Sequence, residues 1–270
     1  MTNKKTMRLG LIGKDVSKST SPQIHTFILD KFGYACDYEK ISVSPQDFDG
    51  QMRRLLGDFD GFNVTIPYKR DVFEYLDDIV GDAFDFSAVN TVVSADKTGY
   101  NTDGAGFLQM LRYAGIEVRD KKVLVLGAGG SGRSSAYSLK KAGAKVYMYR
   151  RNQKELLEAC NQLGVLPASD IEKGGYDILI NCTGVGMHDT EGRSPVTESA
   201  FEGATSAVDL IYEPKESAFL QMAKRKGLQT LNGESMLFFQ AYFADCLFLK
   251  RQPNTAEAIA FYNEYSTSNN

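Results

Sequence analysis

Residues 122–132 read Lys122-Val123-Leu124-Val125-Leu126-Gly127-Ala128-Gly129-Gly130-Ser131-Gly132, an apolar run opening into G-x-G-x-x-G. This pattern begins a dinucleotide-binding βαβ unit, and the reading of the fold starts from it. Gly127 makes the tight turn, Gly129 lets the backbone approach a pyrophosphate, and Gly132 lets the helix pack closely on the strand. The phosphates rest on the helix N-terminus, so Ala128, Gly130 and Ser131 belong to the same cradle. A glycine-rich turn without a ligand is the plainer alternative. A helix expected over Ser134–Ala142, capped by Gly143, leads to a second strand, Lys145–Tyr149. A cofactor lacking a 2′-phosphate usually meets an Asp or Glu at the end of such a strand. This chain instead has Arg150-Arg151-Asn152. Two guanidiniums suit a phosphate dianion and offer no acceptor to a bare 2′-hydroxyl, so NADP is expected, with NAD as the alternative. A pair of solvated arginines is the bland reading of the same residues.

With 270 residues, 43% of them hydrophobic, the chain can bury one large or two medium cores. A net charge of -3 gives no basic footprint for nucleic acid. Met1–Lys14 holds no long apolar stretch, and Met236–Leu249 is too short and too interrupted by Gln240 and Asp245 to span a bilayer. A soluble, cytoplasmic protein without targeting signal or membrane partner is expected. Cys36, Cys160, Cys182 and Cys246 form no C-x-x-C pair, which points to reduced thiols rather than a disulfide framework or metal cluster. Only His25 and His188 are present, so a zinc site or a Ser-His-Asp relay is not expected.

Upstream of the glycine turn, strands are expected at Met7–Ile12, Tyr38–Val43 and Gly61–Ile66. They alternate with helices at Gln23–Lys31, where Pro22 suits a first turn, at Pro45–Leu56, and from Tyr68 onward. Ala88–Ser94 and Thr98–Asn101 read as a hairpin, followed by a helix over Thr102–Ala114. Asp177–Asn181 and Ala207–Ile211 are short apolar runs suited to a sheet covered on both faces. Glu234–Leu249 is apolar around most of its circumference and is expected as a buried helix; Ser266–Asn270 is expected to fray.

Several polar clusters suggest a site. Ser19-Thr20-Ser21 precede a helix whose N-terminus favours an anion such as a carboxylate, although Ser21 also suits a plain N-cap. Asn63 and Thr65 fall on one face of a strand, and Lys69 arrives just past its end, where open α/β sheets bind ligands. Asn90 and Asn101 add amides, and Asp103 a carboxylate that is equally suited to a turn before Gly104. Gln240, inside the apolar helix, needs a partner from a neighbouring loop or a ligand.

Taken together, these motifs resemble the shikimate dehydrogenases and their quinate/shikimate relatives. The resemblance runs through Ser-Thr-Ser-Pro-Gln-Ile-His at 19–25, Asn-Val-Thr-Ile-Pro-Tyr-Lys at 63–69, Ala-Val-Asn-Thr at 88–91 and Asn-Thr-Asp-Gly at 101–104. It continues through Gly-Ala-Gly-Gly at 127–130, Asn-Cys-Thr at 181–183, Asp-Leu-Ile-Tyr-Glu-Pro at 209–214 and Gly-Glu-Ser-Met-Leu-Phe-Phe-Gln-Ala at 233–241. It implies a hydroxylated cyclohexene carboxylic acid whose 3-hydroxyl is interconverted with a ketone using NADP. Ser19 and Ser21 would hold the carboxylate, and Asn63, Thr65, Asn90 and Gln240 would bind ring hydroxyls or the carboxylate. Lys69 and Asp103 would flank the reacting oxygen as the catalytic pair. Tyr212 and Gly233 would lie near the nicotinamide and the domain cleft, Tyr212 binding substrate and Gly233 and Thr183 the cofactor, and Met236 is placed by the same motif or serves as core.

The chain departs from the family at one place that matters. Relatives often carry Asn-Arg-Thr after the second cofactor strand and another Arg three positions later; here Glu155 occupies that later position, with Lys154 beside it as a substitute cation. The implied architecture is α/β: a substrate domain over 1–104 completed by C-terminal helices at 235–270, a doubly wound Rossmann-type domain over 105–234, and a cleft between them. Monomer and homodimer both fit. The rival readings are a quinate/shikimate dehydrogenase preferring NAD and an NADP-sensing module without a reaction.

Overall fold

The structure is a computed structural model that describes residues 4–85 and 87–268. The chain divides into two compact units, Met1–Thr102 with Leu237–Asn270, and Asp103–Met236.

The first unit is built on β1 (Thr6–Gly13), α1 (Ser21–Lys31), β2 (Ala35–Ser42), α2 (Phe48–Asp58) and β3 (Gly61–Val64). It continues with β4 (Asp78–Ile79), the single turn α3 (Asp82–Asp85), β5 (Thr91–Val93) and β6 (Thr98–Tyr100). The sheet order is β2-β1-β3-β5-β6-β4, with β1 parallel to β2 and β3, and β5 antiparallel to both β3 and β6. Because β5 runs backwards, its first residues lie at the same edge as the last residues of β1, β3 and β6. That edge collects the loop after Gly13, the segment after Val64, Asn90 and Thr102.

Alternation along β1 explains the two cores of this unit. Met7 and Leu9 face a cluster with Leu29, Val93, Ala244 and Phe248. Ile12 faces the other way, onto Phe48, Met52, Leu55, Phe62 and Tyr68. Helix α1 packs on the C-terminal helix through Phe27 and Tyr265, whose rings lie 5.3 Å apart, and a Lys31–Glu264 ion pair.

The helix expected from Tyr68 onward is replaced by a turn and a short 3₁₀ helix at Asp71–Tyr75. The reason is a partner from further along the chain: Val89 N–H donates to the Lys69 carbonyl at 2.8 Å, taking the acceptor that an α-helix would use for Phe73, which bonds Arg70 instead. Helix α1 begins at Ser21 rather than Gln23, with Thr20 as N-cap and no side-chain bond capping it.

The second unit contains α4 (Asp103–Tyr113), β7 (Lys122–Leu126), α5 (Gly130–Lys141), β8 (Lys145–Tyr149) and α6 (Gln153–Leu163). Then follow β9 (Leu166–Pro167), β10 (Ile178–Asn181), β11 (Ser206–Asp209), α7 (Ala218–Arg225) and β12 (Gln229–Leu231). All of its strands are parallel, in the order β12-β11-β10-β7-β8-β9. This is the doubly wound order, with the direction of winding reversing between β7 and β10. Buried Leu124, Leu126, Leu179, Ala207, Phe201 and Phe219 form its core.

Helix α8 (Glu234–Phe248) starts in the second unit and ends in the first, and α9 (Thr255–Ser268) closes the chain. Helix α9 continues to Ser268, where fraying was expected from Ser266. Hydroxyls of Ser266, Thr267 and Ser268 bond back to carbonyls three or four residues earlier, and only residues 269–270 of the expected tail lie outside the described ones. Among the described residues no helix is long and apolar enough to cross a membrane.

The glycine turn has the geometry its spacing requires. Gly127 has φ +104, and a Cβ on Gly132 would overlap the Gly127 carbonyl oxygen, whereas one on Gly130 would meet nothing within 4 Å. Helix α5 therefore begins at Gly130, four residues before the expected start. Gly132→Ala is expected to lose about 1–3 kcal/mol of stability in urea unfolding, because backbone overlap outweighs the roughly 1 kcal/mol gained in helix propensity. Gly130→Ala, in open space, should keep or raise stability.

Candidate active site

The first unit gathers hydroxyl and amide groups at one sheet edge. Ser19 Oγ donates to Ser21 Oγ at 3.0 Å and accepts from Ser21 N–H at 3.2 Å, so the two hydroxyls stand together ahead of the first turn of α1. Asn63, 6% exposed, projects from β3; its amide donates to the Asn90 carbonyl and to Thr91 Oγ1, both at 3.2 Å. Asn90 Oδ1 accepts from Thr102 N–H at 2.8 Å and from Thr91 Oγ1 at 2.9 Å, while its Nδ2 donates to Thr102 Oγ1 at 3.0 Å. Thr65 follows directly after β3, held by its N–H to the Ile12 carbonyl at 2.9 Å. Lys69, partly buried, lies in the turn beyond and is fixed through its carbonyl by Val89.

Gln240 behaves differently from the expectation of a buried amide in search of a partner. It is only half-buried, and its Nε2 donates to the Leu237 carbonyl of its own helix at 2.9 Å. The buried carboxylate of α8 is Asp245, whose Oδ1 lies 2.6 Å from His25 Nδ1. Burial pushes the Asp245 carboxyl up, against the pull of His25. His25 in turn stacks on Tyr38, with ring centroids 4.8 Å apart.

Tyr38 is the residue that motif reading missed. Its hydroxyl donates to Asn63 Oδ1 at 2.9 Å and is also hydrogen-bonded to Ser21. Burial, and next the charge of Asp245, hold the phenol well above its ordinary range, so it stays a donor. A tyrosine within an ordinary strand carries no local signal; only the sheet order, which sets β2 one strand away from β3 across β1, and the hydrogen bond to Ser21 of the serine loop reveal it.

The second unit gathers the other candidates. Asp103, buried, opens α4. The N-terminus of α5 has Gly129 as N-cap and no side chain capping it. The first N–H groups of such a helix lack partners within the helix, and a Cβ on Gly129 or Gly130 would meet nothing within 4 Å, which leaves those amides open to an anion. Across the winding reversal, a Cβ on Gly127 would touch the Thr183 side chain, and Thr183 Oγ1 donates to Asn181 Oδ1 at 2.6 Å. A Cβ on Gly233 would overlap the Leu210 carbonyl oxygen, fixing the approach of the chain to α8, and Tyr212 is exposed nearby in sequence at 40%.

Asn181 and Asp209 clamp the strand ends on this side. Asn181 Nδ2 donates to Asp209 Oδ1 at 3.0 Å, Ile211 N–H donates to the same oxygen at 3.0 Å, and Ser217 Oγ donates to Asp209 Oδ2 at 2.5 Å. Burial nevertheless pushes the Asp209 carboxyl above its ordinary 3.8. Cys182 is pushed up to about 12 by burial, so it stays a thiol rather than a nucleophile. Among the described residues no cluster of three or more His, Cys, Asp or Glu side chains forms a metal site.

At the end of β8, Arg150 is paired with Glu155, Asn152 caps α6 by accepting from Glu155 N–H at 3.3 Å, and Arg151 and Lys154 are exposed. Asn152 thus has a structural task of its own.

Comparison with known proteins decides the family. The sequence model of the shikimate dehydrogenase substrate binding domain matches residues 11–92. A shikimate dehydrogenase (NADP(+)) from Clostridium botulinum strain Hall is 38% identical over 241 residues, spanning 87% of this chain and 93% of that protein. This chain belongs to the shikimate dehydrogenase family. A family member from Thermus thermophilus, solved with NADP(H) and shikimate, superposes with TM-score 0.87 at 31% identity, covering 96% of this chain and 99% of that one. A quinate dehydrogenase from Corynebacterium glutamicum, solved with NAD, superposes with TM-score 0.86 at 27% identity, covering 96% and 99%.

Two outcomes test this geometry. Tyr38→Phe leaves Asn63 Oδ1 without its donor and should destabilise the protein by about 1–2 kcal/mol in urea unfolding, as expected for an unmatched buried polar group. Asp209, whose folded pKa is raised, binds its proton more tightly folded than unfolded. Its contribution is therefore full below the ordinary 3.8 and disappears as pH rises through the folded value. The stability of the native protein relative to Asp209→Asn should accordingly fall as pH rises above the ordinary 3.8; a rise would contradict the assignment.

Proposed function

We propose that this protein is an NADP-dependent shikimate dehydrogenase, reversibly reducing 3-dehydroshikimate to shikimate in aromatic amino-acid (chorismate) biosynthesis. The observation that carries this reading is the edge of the first sheet, where paired serine hydroxyls, two oriented asparagines and a lysine stand within one compact unit. A module that only sensed NADP would have no use for that edge.

Ser19 and Ser21 suit the substrate carboxylate, because two hydroxyls and the N-terminus of α1 converge ahead of one helix turn. Asn63, Thr65, Asn90 and Gln240 are assigned to the ring hydroxyls or the carboxylate. Asn63 and Asn90 are pre-oriented by the network, so recognition requires little side-chain ordering on binding. In the cofactor site we place Gly127, Ala128, Gly129, Gly130, Ser131 and Gly132 at the pyrophosphate, Arg150, Arg151 and Lys154 at the 2′-phosphate, and Thr183 and Gly233 toward the nicotinamide. Tyr212 is assigned to the substrate. The bound nicotinamide supplies hydride to the ketone, or accepts it from shikimate.

Lys69 and Asp103 are assigned to the reacting oxygen. As the carbonyl oxygen gains negative charge, the Lys69 ammonium stabilises it and donates the proton that completes the hydroxyl. In the reverse direction the same amine takes that proton back. Asp103 is assigned to share hydrogen bonds with the ring hydroxyls. We place the enzyme in the cytoplasm, consistent with four cysteines that are all free, and as a monomer or homodimer.

Lys69→Ala should lower kcat by about 10²–10⁴-fold, the usual contribution of a positioned acid–base group, while KM for shikimate changes by only a few-fold. Near-native turnover would remove Lys69 from the mechanism. Values of kcat/KM for shikimate and quinate, each with NADP and NAD, test the assignment as a whole: shikimate with NADP should dominate, and silence in all four would sink it.

A further inference from the structure

The cofactor site carries one charge that the reading above does not use. Arg150 is the first residue after β8, where the adenosine ribose meets a doubly wound sheet. Its guanidinium Nη2 is paired with Glu155 Oε2. The other carboxylate oxygen, Oε1, accepts from Asn152 Nδ2 at 2.7 Å, and Asn152 Oδ1 accepts from Glu155 N–H at 3.3 Å. These last two bonds form a variant of the capping box on α6, with the Asn152 side-chain amide as donor to the acid, and they fix the carboxylate at the helix N-terminus. The acid is thus held beside the arginine by the fold, not by a chance contact.

Both side chains of the pair remain partly open to solvent, at 37% and 42%, so the ion pair is weak and exchangeable. A 2′-phosphate dianion has to compete with Glu155 for Arg150 and approach a like charge. A bare 2′-hydroxyl meets the opposite situation: a carboxylate has come to the neighbourhood of the strand end, arriving from the first turn of α6. An acid there is what bonds the ribose hydroxyls in sites without phosphate recognition.

We propose that Glu155 sets cofactor choice in this enzyme: its carboxylate opposes the 2′-phosphate by occupying Arg150 and accepts from the 2′-hydroxyl when no phosphate is present. The preference for NADP is thereby narrowed, and Arg151, exposed and without a carboxylate partner among the described residues, supplies the phosphate charge that Arg150 shares out. This rests on the NADP reading above.

The test is Glu155→Gln, because glutamine at the third helical position keeps the cap while removing the charge. Dissociation constants are measured by calorimetry for NADP+, NAD+, adenosine 2′,5′-bisphosphate and 5′-AMP, none of which requires turnover. The variant should bind NADP+ and the bisphosphate about two- to fivefold more tightly, the size of one exposed charge interaction, and the gain should shrink at high salt. It should bind NAD+ and 5′-AMP more weakly by a similar factor. An unchanged ratio of the NADP+ and NAD+ constants overturns the proposal. If the native protein binds NADP+ and the ratio is unchanged, only the role of Glu155 falls; if the native protein binds no NADP+, the cofactor reading falls with it.

Discussion

Buried amides and hydroxyls at the end of the first sheet must find partners inside the protein, since each one left unpaired costs about 1–3 kcal/mol. Asn63, Asn90, Thr91 and Thr102 satisfy one another, and Tyr38 takes the acceptor that remains on Asn63. The network spans β2, β3, β5 and the end of β6, so the strand order itself is written into it. It depends on β5 running antiparallel, which alone brings Asn90 to the edge where β3 ends. Thr102, tied down through its N–H and hydroxyl, immediately precedes Asp103 in the chain. One requirement of polar satisfaction therefore fixes the side chains of the site and the exit of the chain from the unit.

In the second unit the governing constraint is steric. Gly132 approaches the Gly127 carbonyl so closely that no side chain fits, and this draws α5 against β7 with its first N–H groups directed at open space. The Asn181–Asp209–Ser217 clamp then locks the neighbouring strand ends on the other side of the winding reversal. A buried carboxyl is an expensive clamp, and three donors are needed to hold it. The benefit is position: β10 and β11 end where the glycine turn begins.

What the sequence made legible was whatever is local. The glycine turn, the parallel strands with their apolar runs, and the motif residues at strand ends all announce themselves by spacing. The short strands β9 and β12, of two and three residues, lack the length for any period to show. The helix misplaced at Tyr68 failed because its decisive hydrogen bond comes from Val89, twenty residues downstream. Gln240 drew attention as the odd amide of an apolar helix, yet its own backbone satisfies it, while Asp245 needed His25 from 220 residues away. Tyr38 was invisible for the same reason. Partners distant in sequence are what pattern reading cannot supply.

The two halves of recognition are built from different physics. On the proposed substrate edge Asn63 and Asn90 are buried, bonded with Thr91 and Thr102 and held to one arrangement, so a ligand meets groups whose orientation is already fixed. At the end of β8 and the start of α6, the proposed adenosine 2′ position, the groups are charges near the surface, where water and salt screen each pair and several arrangements lie close in energy. On the proposed reading the first arrangement selects among ring substitution patterns by fixed geometry, and the second, made of screened charges, responds to the change of a single charge. Substitution of one exposed residue at the start of α6 leaves the substrate network untouched, because no bond of that network involves α6. If Glu155 acts as proposed, cofactor preference changes without disturbing the bonds of the substrate edge.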